Sequence, residues 1–92
     1  MLTPGEKFGQ YKVIELLGRG GMGSVYKALD TELDRIVALK VVNEHLSQSE
    51  EYRVKLAAEA KKAAQLNSPY VVKVWEYAEI DQRPYISLEF IE

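Results

Sequence analysis

Cysteine is absent from this 92-residue chain, which excludes a disulfide framework and thiolate metal sites and fits a reducing compartment. Histidine occurs once, as His45, in a polar stretch with no Cys, Asp or second His nearby. It reads as a surface side chain, neither base nor metal ligand. No apolar run approaches the roughly twenty residues a membrane-spanning helix needs. The polar, glycine-containing start from Met1 to Gln10 does not have the form of a signal peptide. Neither sign of charge dominates: the formal net charge is −2, which argues against nucleic-acid or membrane-surface binding by bulk electrostatics. Internal repeats and low-complexity segments are missing too. What remains is ordinary for one small globular domain over 1–92, with 47% hydrophobic and 28% charged residues.

The pattern along the chain changes period once. Met1 to Phe8, with Pro4 and Gly5, reads as an irregular lead-in. Tyr11 to Leu17, Ser24 to Asp30 and Arg35 to Val42 are rich in strand formers, and the near-continuous apolar third segment suggests burial on both faces. Ser47 with Glu50 three residues on has the form of a capping box, and Glu50 to Leu66 is built from good helix formers. Leu56, Ala60, Ala63 and Ala64 recur at helical spacing as a narrow small-residue face, and Asn67, Ser68 and Pro69 end it. Val71 to Ile80 and Pro84 to Ile91 read as two further strands joined by a turn through Asp81 and Gln82. The expected fold is α+β: a five-stranded antiparallel sheet with one principal helix packed on it.

Chemistry concentrates in two segments. The run Leu17-Gly18-Arg19-Gly20-Gly21-Met22-Gly23-Ser24-Val25 places four glycines in six residues, more than a plain hairpin needs. A dinucleotide-binding fingerprint would require a helix directly after the loop and an acidic residue about twenty positions on. A phosphate-binding P-loop would require Gly-Lys-Ser/Thr at its end. Neither is present, which leaves a strand-loop-strand flap able to lie over a triphosphate. Further on, Val37-Ala38-Leu39-Lys40 puts Ala38 and Lys40 on one strand face and Val37 and Leu39 on the other. A small residue beside a lysine allows a planar base to pack close while the ammonium reaches phosphate oxygens. A lysine held there needs a counter-charge. Glu59, mid-helix amid alanines, is the candidate, and an ordinary helical pairing with Lys55 or Lys62 is the alternative. Trp75 and the six tyrosines read as core or sheet-surface aromatics.

Taken in order, these segments resemble the amino-terminal lobe of a Hanks-type serine/threonine protein kinase, and the bacterial members most of all. The resemblance spans Phe8 to Glu92 and is most specific at Leu17 to Tyr26, Val37 to Lys40, Glu59 to Pro69 and Leu88 to Ile91. It implies that Gly18, Gly20 and Gly23 bring backbone N–H groups to ATP phosphates, within a nucleotide-binding run that includes Arg19, Gly21, Met22 and Ser24. Leu17 would close the pocket, and Val25 and Ala38 would pack on the adenine. Lys40 would bind the α- and β-phosphates and pair with Glu59. Leu88 would be the gatekeeper, and Glu89 and Ile91 would offer hinge backbone groups.

The resemblance also implies Mg²⁺, a cytoplasmic setting, protein substrates phosphorylated on Ser or Thr, and pairing of two copies through the back of the lobe. A kinase further needs a catalytic-loop Asp and Asn and a metal-binding Asp before Phe-Gly. The aspartates here are Asp30, Asp34 and Asp81, all in or beside strand connections, so no metal ligand is assigned and the chain alone is expected to be inactive. The end at Glu92, inside the implied hinge, reads as a piece of a longer kinase, whose membrane anchoring is left open. A stand-alone interaction or dimerisation module is the alternative.

Overall fold

A computed structural model describes residues 2–20, 23–43, 46–65 and 73–91. Among the described residues six strands and one helix follow one another: β1 (Lys7–Phe8), β2 (Tyr11–Arg19), β3 (Gly23–Asp30), β4 (Arg35–Val42), α1 (Glu50–Gln65), β5 (Val74–Ile80) and β6 (Arg83–Glu89). They form one antiparallel sheet in the order β1-β2-β3-β4-β6-β5. The expected five-stranded sheet therefore has a sixth member, because β1 is a two-residue strand in the lead-in, paired Lys7 to Lys12 and Phe8 to Tyr11. The helix returns the chain so that β5 takes the sheet edge and β6 slots in beside β4. The β5–β6 turn has Asp81 and Gln82 both at positive φ, 51° and 66°, the backbone of a two-residue hairpin whose twist matches its strands.

Alternation on the strands divides the sheet into two faces. On the back face Tyr26, Ala28, Val37, Leu39 and Val41 are almost wholly buried, joined by Leu2, Phe8, Tyr11, Val13 and Tyr85. On the front face Val42 and Ile86 pack under Leu56 and Ala60 of α1. The sheet curls strongly toward its back. Tyr11 of β2 donates a hydrogen bond of 3.1 Å to Glu76 of β5, although three strands separate them in the sheet. Tyr85 donates to the same carboxylate oxygen, and its ring meets those of Phe8 and Tyr11 edge-on at 5.6 and 5.4 Å. Burial pushes both phenols above the ordinary tyrosine value, and for Tyr85 the hydrogen bond to Glu76 adds to the rise.

Two local expectations change. The helix begins at Glu50, with the Ser49 carbonyl accepting from the Arg53 amide at 3.1 Å, so Ser49 precedes the helix and Ser47 lies earlier, buried in the turn. The strand β4, expected to be buried on both faces, is fully buried on its back side, while Ala38 and Lys40 on its front are half-buried. Leu56 and Ala60 form the expected apolar stripe. Ala63 and Ala64, the helix stop at 67–69, and His45 lie outside the described side chains and residues.

Candidate functional site

The register across the sheet lines up two rows on the front face. Gly18, Val25, Lys40 and Ile86 are successive cross-strand partners, and Lys27, Ala38 and Leu88 form the next row. Cross-strand partners share a face, so the residues singled out on four separate strands converge on one surface. One end of that surface is roofed by α1. The other presents Val25, Ala38 and Leu88 as half-buried apolar side chains.

Lys40 sits where the roof begins. Its Nζ donates to both carboxylate oxygens of Glu59, at 2.6 and 2.7 Å. The side chains keep 24% and 46% of their exposure, so the pair faces solvent and remains open to a ligand. The local alternative for Glu59 fails at Lys55, which turns to Glu51 at 3.2 Å. The back-face neighbours Leu39 and Val41 anchor β4 at 0% and 1% exposure, which fixes where the lysine leaves the sheet.

The glycine loop closes with the Gly20 amide donating to the Gly23 carbonyl at 2.9 Å. Its glycines serve different ends. A Cβ at Gly18 or Gly20 would meet no described atom within 4 Å, so their bareness does nothing for packing and leaves room above the front face. A Cβ at Gly23 would lie 2.2 Å from the Val41 carbonyl oxygen, so here the absence of a side chain lets β3 reach β4. Gly21 and Met22 are outside the described residues. Leu17, at a register shift in β2, is 46% exposed beside the loop, and Arg19 and Ser24 pair across its base, with Ser24 buried on the back face. That position takes the Ser24 side chain away from the front surface, although its backbone borders the loop.

The segment after β6 carries the remaining candidates. Glu89 donates its amide to the Lys73 carbonyl at 2.8 Å, which leaves its own carbonyl as the group it can offer. Ile91 is 61% exposed. Between them, Phe90 lies under the Lys27 ammonium, 5.1 Å from ring centroid to Nζ. The sequence reading missed this contact. The signal was there in the alternation of β3, which puts Lys27 on the same face as Val25.

The three aspartates are turn residues. Asp30 is buried and accepts from the Glu32 and Leu33 amides at 3.0 and 3.2 Å, and Asp34 and Asp81 both take positive φ. Among the described residues no group of three or more His, Cys, Asp or Glu is arranged to hold a metal ion, and no helix is long and apolar enough to cross a membrane.

Comparison with known proteins agrees with this geometry. A family model described as the protein kinase domain matches residues 11–92. Serine/threonine-protein kinase PknE of Mycobacterium tuberculosis is 44% identical over 87 residues, a match covering 95% of this chain and 15% of that protein. PknD of the same organism is 39% identical over 88 residues, covering 96% and 13%. Among solved structures, the Mycobacterium tuberculosis PknI kinase domain superposes with a TM-score of 0.75 at 28% identity, over 100% of this chain and 37% of that one. The chain thus spans a small part of its curated relatives and just over a third of a solved kinase domain. With sequence, sheet order and the lysine–glutamate pair in agreement, the chain belongs to the protein kinase domain family.

Proposed function

We propose that this chain is the ATP-binding lobe of a serine/threonine protein kinase. In that reaction a Ser or Thr hydroxyl oxygen bonds to the γ-phosphorus of ATP, the bond to the β,γ-bridging oxygen breaks, and ADP leaves. The bidentate Lys40–Glu59 contact carries the reading. It holds an ammonium beside an apolar surface formed by Val25, Ala38 and Leu88, on which a purine can lie while its phosphates reach the lysine. Lys40 neutralises the α- and β-phosphates. The backbone at Gly18, Gly20 and Gly23 covers the phosphates from above, and Leu17 shuts the outer side. The Glu89 carbonyl and the backbone of Ile91 meet the adenine edge. Mg²⁺ travels with ATP, and its ligands are assigned to parts of the kinase beyond these residues, since the three aspartates here are committed to turns. By the same reasoning the 92-residue chain alone binds nucleotide weakly and transfers no phosphoryl group.

The test is an acyl-phosphate derivative of ATP, which acylates a lysine lying against the bound phosphates. The expected product is Lys40 labelled ahead of the other lysines, with excess ATP suppressing that labelling and Lys40→Arg abolishing it. Labelling spread over the lysines and indifferent to ATP would remove the assignment.

A further inference from the structure

The ion pair that defines the site is joined to the sheet at a second point. Helix α1 rests on a narrow apolar footing: among its described side chains only Leu56 and Ala60 are buried. Glu59 itself is nearly half exposed, so burial does little to set its position. Six residues earlier, Arg53 spends its guanidinium on three separate pieces of backbone and side chain. Its Nε donates to the Ser47 carbonyl at 2.9 Å, in the turn that leads into the helix. Its Nη2 donates to the Gln82 carbonyl at 2.8 Å, at the tip of the β5–β6 hairpin, and its Nη1 pairs with Glu79 on β5. Gln48 reinforces the link by donating to the Gln82 side chain at 3.3 Å.

We propose that Arg53 is a positioning residue for Lys40: by pinning the first turn of α1 to the β5–β6 hairpin it sets the height at which Glu59 meets the ammonium. Six residues at 1.5 Å each put Glu59 about 9 Å along the axis from Arg53. The helix is thus fixed by a polar clamp in its first turn, the Lys40 pair further along, and an apolar contact through Leu56 and Ala60 with the half-buried Tyr52 beside them. The clamp's far side is the hairpin whose second strand, β6, supplies Ile86, the cross-strand partner of Lys40. Arg53 therefore references the helix to the strand that borders the lysine. A planar fork with five donors can serve three acceptors at once, and a lysine ammonium on a flexible stem does so poorly. The contact is legible only in three dimensions, because Glu79 and Gln82 lie 26 and 29 residues away in the chain.

The inference rests on the reading of Lys40 as the phosphate-binding lysine, but its test does not require nucleotide. Each lysine of the chain is acetylated with a limiting reagent and quantified by mass spectrometry. Arg53→Met is expected to raise the rate at Lys40 about two- to five-fold relative to Lys7 and Lys12, the range a partly exposed ion pair can supply. Arg53→Lys recovers little of the protection. If Arg53 acts through Glu59, the double variant Arg53→Met/Glu59→Gln behaves like Glu59→Gln alone. An unchanged Lys40 rate in Arg53→Met, or effects of the two substitutions that multiply, would overturn the proposal. Should Arg53→Met unfold, seen as a rise at all lysines together, Glu79→Ala removes one arm and is expected to give a smaller rise selective for Lys40; no rise there overturns the proposal equally. A selective rise at Lys40 in a chain whose Lys40 labelling ATP does not suppress would uphold the clamp and overturn the nucleotide reading alone.

Discussion

Replacing Gly23 by alanine tests whether the glycines of one loop have been correctly divided between packing and ligand space. The new Cβ would sit 2.2 Å from the Val41 carbonyl oxygen, 3.0 Å from its carbon and 3.1 Å from the Val42 Cα. Real Cβ atoms essentially never approach within 3.0 Å, so β3 and β4 would have to part by about 0.8 Å at this point. The obstacle is backbone, which cannot swing aside as a side chain does, and Val41 and Val42 are each 1% exposed, so the strain spreads into both cores. Overpacking of this kind costs about 1–3 kcal/mol. For a domain of this size that corresponds to a melting temperature lower by about 5–20 °C. Gly18→Ala and Gly20→Ala meet open space and neither residue has a left-handed φ, so their stability holds or rises, by about 0.4–1 kcal/mol at most. The assay is thermal denaturation of the three variants by circular dichroism, alongside ATP suppression of Lys40 labelling. Gly18→Ala and Gly20→Ala should lose that suppression while keeping their fold. The reasoning is refuted if Gly23→Ala melts with the parent, or if Gly18→Ala falls as far as Gly23→Ala.

Other outcomes follow from the same structure. Glu59→Gln is expected to change stability by less than about 1 kcal/mol, since the pair is partly exposed, yet to abolish ATP suppression of Lys40 labelling; a large drop in melting temperature would contradict this. Leu56→Ala removes the wholly buried side chain at the centre of the helix footing and should cost about 2–5 kcal/mol, with loss of amide protection along α1 in hydrogen exchange as the readout. The tyrosine pair sets the response to alkali. Because folding raises both phenols, their contribution is whole below the ordinary tyrosine value of about 10 and declines above it, where the unfolded chain ionises first. Denaturation midpoints should therefore be insensitive to these groups at neutral pH and fall steeply above about pH 10, with a shallower fall in Tyr85→Phe; equal slopes in the two proteins would argue against it.

The sequence revealed most where local pattern and final position coincide. Arg35 to Val42 has the same ends in the sequence reading and in the structure, and its alternation placed Ala38 and Lys40 together on the front face. The Asp81-Gln82 turn was legible because two strand-like runs flank it and Asp81 tolerates the positive φ that the hairpin demands, whereas Gln82 takes the same conformation with no such preference. Glu59 was harder, since helical spacing allows Lys55 or Lys62 as readily as a lysine nineteen residues away; the fold decided it by giving Lys55 to Glu51. The strand β1 escaped notice because two residues carry no period, and its pairing depends on the turn through Gly9 and Gln10. Arg53 looked like any helix-forming residue, because all that distinguishes it comes from partners brought near by tertiary structure. The helix starts at Glu50 as expected, but the serine that precedes it is Ser49 and not Ser47, because two serines compete and Ser47 is drawn inward to a buried site.

The strand order has a consequence for how the molecule is made. Strand β4, which carries Lys40, lies in the interior of the finished sheet, but its second neighbour is β6, the last of the described strands. During synthesis β1 to β4 can pair as soon as they emerge, and the outer edge of β4 then waits through the helix and β5 before residues 83–89 arrive to cover it. Throughout that interval a strongly apolar strand offers unpaired amides and carbonyls to any passing chain. The strand that carries Lys40 is therefore also the nascent chain's sticky edge, and slow or interrupted translation between residues 43 and 83 is where self-association would begin.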